Sequence, residues 1–217
     1  VVQEMEPMPV DGLFGTVIEA RSKWLKEYSF EVEYGPDDII SVKDPYGYKG
    51  AVSDFDCYVF GEGKNYRIFD HLGAHIEKHK GVSGVRFAVW APHARSVSVV
   101  GDFNMWDGRL HKMVLHGPSG VYELFIPGVS EGAVYKYEIT TRDGERLYKT
   151  DPYGNYAELR PGNASRVASL TGYNWHDAAF QKKRAEKNAK VRDREPMSIY
   201  EVHLASWKKR VEDDDNG

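Results

Sequence analysis

Apolar and polar positions alternate over two neighbouring stretches of this chain. Val85, Phe87 and Val89 alternate with Arg86 and Ala88, and Val97 and Val99 with Ser96 and Ser98, the period-two signature of half-buried strands. Pro92 to Arg95 supplies the turn between them. Beyond the second strand, Gly101-Asp-Phe-Asn-Met-Trp-Asp107 is rich in turn formers, so Phe103 and Trp106 cannot both occupy regular core positions and one is expected to face water. The same reading places strands over 84–91, 96–101, 121–126, 134–140 and 145–149, separated by Gly117-Pro-Ser-Gly120, Pro127-Gly128 and Arg142-Asp-Gly144. Short strands at this spacing predict an all-β fold of the sandwich type. From Trp175 to Arg194 the pattern changes. Ala178, Ala179, Phe180, Ala185, Ala189 and Val191 lie among Lys and Arg, which predicts an exposed helix. Pro196 ends it, and Met197, Ile199, Tyr200 and Val202 form an apolar run of the kind found in a buried parallel strand.

An internal repeat underlies part of this pattern. Tyr28-Ser-Phe-Glu-Val-Glu-Tyr34, a turn, Ile40 and Asp44-Pro-Tyr-Gly47 match Tyr135-Lys-Tyr-Glu-Ile-Thr-Thr141, a turn, Leu147 and Asp151-Pro-Tyr-Gly154 at the same spacing throughout. Gly12-Leu-Phe-Gly-Thr-Val-Ile18 echoes Gly120-Val-Tyr-Glu-Leu-Phe-Ile126 with a one-residue slip. In the second copy a hairpin precedes these strands; in the first it would fall before Val1, so only the second half of a first module is expected.

The run Gly84 to Asp107 closely resembles the family-48 carbohydrate-binding module that precedes the catalytic barrel in glycogen branching enzymes of the alpha-amylase superfamily, glycoside hydrolase family 13. Phe60-Gly-Glu-Gly-Lys-Asn-Tyr-Arg-Ile-Phe-Asp-His-Leu-Gly-Ala-His75 is similar to the linker before that module in the bacterial enzymes, and Pro196-Met-Ser-Ile-Tyr-Glu-Val-His-Leu-Ala-Ser-Trp-Lys208 to the first strand of their barrel. The order and spacing match branching enzymes rather than starch-binding proteins in general. The resemblance implies an immunoglobulin-like β-sandwich, with the end of a preceding sandwich and the first strand of a truncated (β/α)8 barrel. The expected divisions are the first module over 1–50, a linker over 51–82, the family-48 module over 83–172, a connecting helix over 173–195 and the barrel start over 196–217.

A retaining glycosyl transfer needs two carboxyl groups about 5–5.5 Å apart. The resemblance implies an Asp nucleophile, a Glu acid/base and a further Asp orienting the sugar, all on later barrel strands, and no position here matches the motifs that carry them. No catalytic residue is therefore assigned. The intact enzyme would cleave an alpha-1,4 bond and pass the fragment to a 6-hydroxyl of another glucan segment, with no cofactor. The expected partners of this segment are alpha-glucan, as glycogen or maltooligosaccharides, and the enzyme's own barrel.

A glucose ring presents an apolar face that stacks on an indole, and equatorial hydroxyls that bond neighbouring polar side chains. In binding members of the module family the Trp of the Asn-x-Trp sequence stacks on sugar and the Lys of the Tyr-Lys-Tyr sequence bonds a hydroxyl, which points here to Trp106 and Lys136, with Asn104 as a third candidate. The alternatives are a tryptophan covering the sandwich rim and a solvated strand lysine. The strongest binders carry a second tryptophan on the hairpin after Asp-Gly, where this chain has Leu147 and Tyr148, so Tyr148 is the candidate second platform. Trp90 can serve as core, interface or platform.

Composition removes several other classes. The chain has 217 residues, 41% hydrophobic and 13% aromatic, enough for one good core or two small ones. A net charge of -4 creates no field for nucleic acid or an anionic membrane. The single Cys57 excludes an internal disulfide, and no long apolar run offers a signal peptide or a membrane span, so a cytoplasmic setting is expected. His71, His75 and His79 recur every four residues, but Gly73 interrupts a regular helix and no metal site is assigned. Gly61-Glu-Gly-Lys64 lacks the spacing of a phosphate loop, and Asn163-Ala-Ser165 is a sequon without secretory context. Rival readings are a stand-alone glucan-binding protein and a related debranching or trehalohydrolase-type enzyme.

Overall fold

The computed structural model describes residues 2–19, 28–186, 194, 196 and 198–203. The chain divides into two compact units, Val1–Leu170 and Thr171–Gly217.

In the first unit, strands β1 (Glu6–Pro7) and β2 (Phe14–Gly15) pair antiparallel, as do β3 (Phe30–Gly35) and β4 (Asp38–Val42). A 3-10 turn over Pro45–Gly47 follows, and helix α1 spans Asp54–Gly61. Ser53 caps α1 by accepting from the Asp56 N–H while the Asp56 carboxylate accepts from the Ser53 N–H, so two otherwise unpaired helix donors are satisfied reciprocally.

Two sheets then face each other. The first contains β5 (Gly73–His79), β6 (Val82–Trp90), β8 (Val114–Leu115) and β9 (Val121–Pro127) in the order β5-β6-β9-β8. The second centres on β10 (Val134–Thr141), flanked on one edge by β7 (Ala94–Gly101) and on the other by β11 (Arg146–Lys149) and β13 (Ser165–Arg166), which pairs with β12 (Tyr156–Ala157). Alternate residues of the two sheets meet in one core, with Val85, Phe87, Val89, Tyr122, Leu124 and Ile126 against Val97, Val99, Tyr135 and Tyr137. Each large side chain so buried contributes about 1.5–3 kcal/mol. This is the all-β sandwich the alternation predicts.

The first sheet departs from the expectation of half-buried strands, because both its faces are covered. Residues 51–72, expected as a linker, lie on its outer side, where Val52, Cys57, Ile68 and Leu72 close a second small core over Ala88 and Val121. Residues 73–79, also placed in that linker, are an edge strand paired with β6 from Gly73↔Ala88 to His79↔Val82, so the sandwich begins before residue 83. Four-residue spacing on a strand separates His75 from His79 by roughly 13 Å. His75 instead hydrogen-bonds the Leu72 carbonyl, and His79 pairs with Glu77 at 2.9 Å.

Two charged residues lie between this sheet and the docked segment. Arg86, 3% exposed, pairs with Glu77 at 2.7 Å and donates to the His71 and Asp70 carbonyls. Glu123, 2% exposed, accepts from the Ala51 and Val52 N–H groups at 2.8 and 3.2 Å, meets His116 at 2.7 Å and lies 3.7 Å from Arg86. Only glycine fits at position 50, where a Cβ would sit 2.0 Å from Glu123 Oε2. The carboxylate is thus a clamp for the segment entering the module.

Burial alone would raise the Glu123 carboxyl, but the bond from His116, the two backbone donors and the Arg86 charge outweigh it and hold it below its ordinary value. The bond to Glu123 holds His116 above its own, against burial. The Glu123 contribution to stability is therefore complete above its unfolded value near 4.3 and is lost as pH falls through the depressed folded value; that of His116 is complete below its unfolded value near 6.5 and is lost as pH rises through the raised one. The difference in unfolding free energy between the chain and His116→Gln is expected to be largest between about pH 4.5 and 6.5, read from urea unfolding across pH 3–9. A flat difference would show that the pair does not couple to folding.

The internal repeat is visible as a repeated latch. Tyr135 Oη donates to Asp151 Oδ2 at 2.7 Å while Asp151 Oδ1 accepts from Tyr153 N at 2.8 Å. In the first copy Tyr28 Oη donates to Asp44, which also accepts from Tyr46 N at 2.9 Å. The second latch is buried and takes a further bond from Tyr137, and burial pushes the Asp151 carboxyl up. In the first, the bond to Asp44 drives the Tyr28 hydroxyl up to about 12. Tyr46 Oη also bonds the Lys112 carbonyl at 2.8 Å, tying the first segment to the sandwich.

In the second unit, helix α2 covers Ala178–Glu186 with no buried residue, as expected of an exposed helix, but starts later than expected, residues 173–177 being non-helical; residues 187–193 of the expected helix lie outside the described residues, and Arg194 is in a turn. The barrel strand expected at Met197–Val202 is not formed over 198–203, where Ile199 and Tyr200 are exposed, and Met197 lies outside the described residues. An apolar run of this kind requires neighbouring strands to satisfy its backbone. Among the described residues no helix is long and apolar enough to cross a membrane.

Candidate functional site

The outer face of the second sheet carries the candidate residues. Tyr135, Tyr137 and Ile139 pack toward the core, so strand alternation turns Lys136, Glu138 and Thr140 the other way. Register places Val100, Ser98 and Ser96 beside them on β7, and Tyr148 and Arg146 opposite Glu138 and Thr140 on β11.

The segment after β7 folds back over this face. A 3-10 turn at Asp102–Asn104 leads into Met105 and Trp106, both left-handed at φ 53 and 61. The chain then returns along β7, with Val99 N donating to His111 O at 3.0 Å and Met113 N to Val97 O at 2.8 Å. Phe103 turns inward, with its ring stacked 6.2 Å from Phe87, and Trp106 outward at 37% exposure, which settles which aromatic faces water. The Trp106 N–H donates to Gly101 O and its indole Nε1 to Asp102 Oδ1, both at 2.9 Å. With its polar edge occupied, the residue has its ring to offer a ligand.

Asn104 is not on the surface. It is 3% exposed; its Oδ1 accepts from Gly101 N at 2.9 Å, and its Nδ2 donates to Val99 O at 2.9 Å and to His111 Nδ1 at 2.8 Å. Burial lowers the His111 pKa, which favours the neutral ring that can accept this bond. Asn104 therefore shapes the loop from beneath rather than presenting an amide to sugar, a correction to its place among the contact candidates.

Tyr148 is half exposed, and its hydroxyl donates to Glu138 Oε2 at 2.8 Å, a bond that raises its pKa. Gly108 lies directly on the same carboxylate, with an added Cβ meeting Glu138 Oε1 at 2.4 Å. Glu138 thus joins the loop two residues beyond Trp106 to the Tyr148 ring. Asp107 is gripped by Arg109 through both oxygens, which holds its carboxyl down to about 2. Lys136, two residues along β10 from Glu138, donates to Asn163 Oδ1. Reading Asn163 only as a sequon missed this partner; the signal was absent because 27 residues separate it from Lys136.

The structure therefore places Lys136 and Tyr148 on the outer face of the second sheet with Glu138, adds Asn163 as the partner of Lys136, brings the Trp106 loop to that face through Gly108, and removes Asn104. Trp90 lies elsewhere, half exposed on β6, with Nε1 bonded to Ser119 O and its ring edge-on to Phe60 of α1 at 5.5 Å. It borders the docked segment.

Residues 71–154 match the family model of carbohydrate-binding module 48, the isoamylase N-terminal domain. The chain is 46% identical over 208 residues to the 1,4-alpha-glucan branching enzyme GlgB of Rubrobacter xylanophilus, covering 95% of this chain and 28% of that protein. It is 50% identical over 184 residues to the enzyme of the same name from Synechocystis, covering 84% of this chain and 23% of that one. The chain thus spans about a quarter of the length of these relatives. A maltotriose complex of a Klebsiella pneumoniae pullulanase mutant is similar at a TM-score of 0.38 and 30% identity, over 46% of this chain and 11% of that one.

Proposed function

From the premise that this chain is the N-terminal region of a glycogen branching enzyme, with residues 71–154 forming its carbohydrate-binding module 48, we propose that the outer face of the second sheet holds alpha-glucan. The observation that carries this reading is the loop after β7, which leaves the Trp106 ring exposed two residues before Gly108 rests on the Glu138 carboxylate that Tyr148 bonds. An exposed indole with its N–H already bonded is suited to the apolar face of a glucose ring. Lys136 and Asn163 supply a donor and an amide for equatorial hydroxyls nearby, and Tyr148 a second, smaller ring.

The whole protein is proposed to cleave alpha-1,4 glucan and transfer the fragment to a 6-hydroxyl, in the cytoplasm, by a retaining mechanism whose carboxyl pair lies on its barrel. No position among these 217 residues matches that pair, so the chain alone is expected to show no transfer activity. Its contribution is to hold polymer near the barrel.

Native electrophoresis of the chain through gels with and without glycogen tests the reading. Retardation specific to glycogen is expected, and equal mobility in both would overturn it. Lys136→Ala removes one charged donor worth about 1 kcal/mol, so its dissociation constant for maltoheptaose should rise about fivefold. Asn163→Ala should add less in the Lys136→Ala background than in the parent, because the two side chains bond each other and their effects couple.

A further inference from the structure

We propose that a cavity beside the Trp106 loop is a second carbohydrate subsite, holding one neutral pyranose unit by its hydroxyls rather than by stacking; the inference rests on the glucan reading above. The cavity has a volume of about 170 Å³, and Ser96, Ser98, Lys112, Glu138, Thr140 and Arg146 line it together with the Asp107–Arg109 pair. At roughly 30 Å³ per water it has room for five or six waters, the scale of a single sugar ring.

Its chemistry narrows the occupant. Lys112 and Arg146 form no ion pair, and the hydroxyls of Ser96, Ser98 and Thr140 make no hydrogen bond among the described residues. Glu138 uses Oε2 for Tyr148 and leaves Oε1 unbonded. An anion would gain Lys112 and Arg146 but face the Glu138 carboxylate, and a cation would meet the reverse conflict. A neutral polyol satisfies both, since each hydroxyl donates to a carboxylate and accepts from a cation. No aromatic side chain lines the cavity, so an occupant is held edge-on. The place is also continuous with the stacking surface. Glu138 belongs to both, and Gly108, two residues beyond Trp106, covers that carboxylate.

Backbone amide shifts of the 217-residue chain titrated with maltoheptaose, and separately with inorganic phosphate, test the assignment. The amides of Ser98, Gly108 and Thr140 should shift with the same midpoint as those of 105–107. Lys112→Ala combined with Arg146→Ala should weaken maltoheptaose binding about three- to tenfold while the chain stays folded. Shifts confined to 105–107 and the neighbourhoods of Lys136 and Tyr148, with the double variant binding as tightly as the parent, would overturn the second subsite and leave the glucan reading standing. Shifts in the cavity with silence at 105–107 would support the subsite and overturn the stacking role of Trp106. Cavity shifts with phosphate but none with maltoheptaose would make it an anion site, and no response to maltoheptaose anywhere would overturn both readings.

Discussion

Trp106→Ala is expected to raise the dissociation constant for maltoheptaose about thirtyfold, a loss of about 2 kcal/mol, while leaving the chain folded. The size follows from what the residue has available. Its indole N–H is bonded to Asp102, so its contribution to a sugar comes from the ring. Fold survival follows from exposure and from the anchoring of its neighbours. Phe103 is packed on Phe87 and Asn104 braces Gly101, Val99 and His111 whatever side chain occupies position 106. Alanine at the left-handed φ of 61 is strained as tryptophan is, so the backbone preference changes little. Titration calorimetry with Trp106→Phe alongside separates the contributions: phenylalanine keeps a ring without the Asp102 bond and should recover most of the affinity. Unchanged affinity in Trp106→Ala, together with a marked fall in stability, would identify a tryptophan that only covers the rim of the sandwich.

Glu123→Ala should have the opposite profile, destabilising the chain by about 3–5 kcal/mol while sparing affinity wherever the protein remains folded. Removing the carboxylate takes the acceptor from the Ala51 and Val52 N–H groups, the partner from His116 and one of two carboxylates from the surroundings of buried Arg86. Glu123→Gln retains an oxygen for the backbone donors and loses the charge, so about half of that cost is expected, with much of the His116 dependence gone. Urea unfolding at pH 6 measures both. A cost below about 1 kcal/mol for Glu123→Ala would show that residues 51–72 are held to the sheet by their apolar contacts alone.

The sandwich was readable because its strands repeat a simple period. Val85, Phe87 and Val89 announce a core face, and Pro92 to Arg95 and Arg142 to Gly144 announce turns, close to where the structure places them. The second core was not readable. Arg86 and Glu123 look like solvent positions on alternating strands, and only the packing of Val52, Cys57, Ile68 and Leu72 over Ala88 and Val121 encloses that side. The edge strand at Gly73–His79 was hidden because its polar residues follow no strong alternation and its histidines suggested a different spacing. The outward turn of Trp106 was legible from two aromatics competing in one short loop. Asn104 was misassigned because an asparagine in a turn reads as exposed, whereas its partners Val99 and His111 come from opposite sides of the loop. The Lys136–Asn163 contact joins strand to distant loop and leaves no local pattern.

Coverage of the first sheet on both faces gives the two sheets unequal freedom to diverge. Substitutions at Arg86 or Glu123 act on folding itself, since those side chains join the docked segment to the sandwich. Substitutions at Ser96, Lys136 or Arg146 fall on a surface whose underlying strands are already secured by the core. The proposed ligand face can therefore drift on one side of the molecule without disturbing the docked segment on the other, and descendants of such a chain could change that face while inheriting the same scaffold.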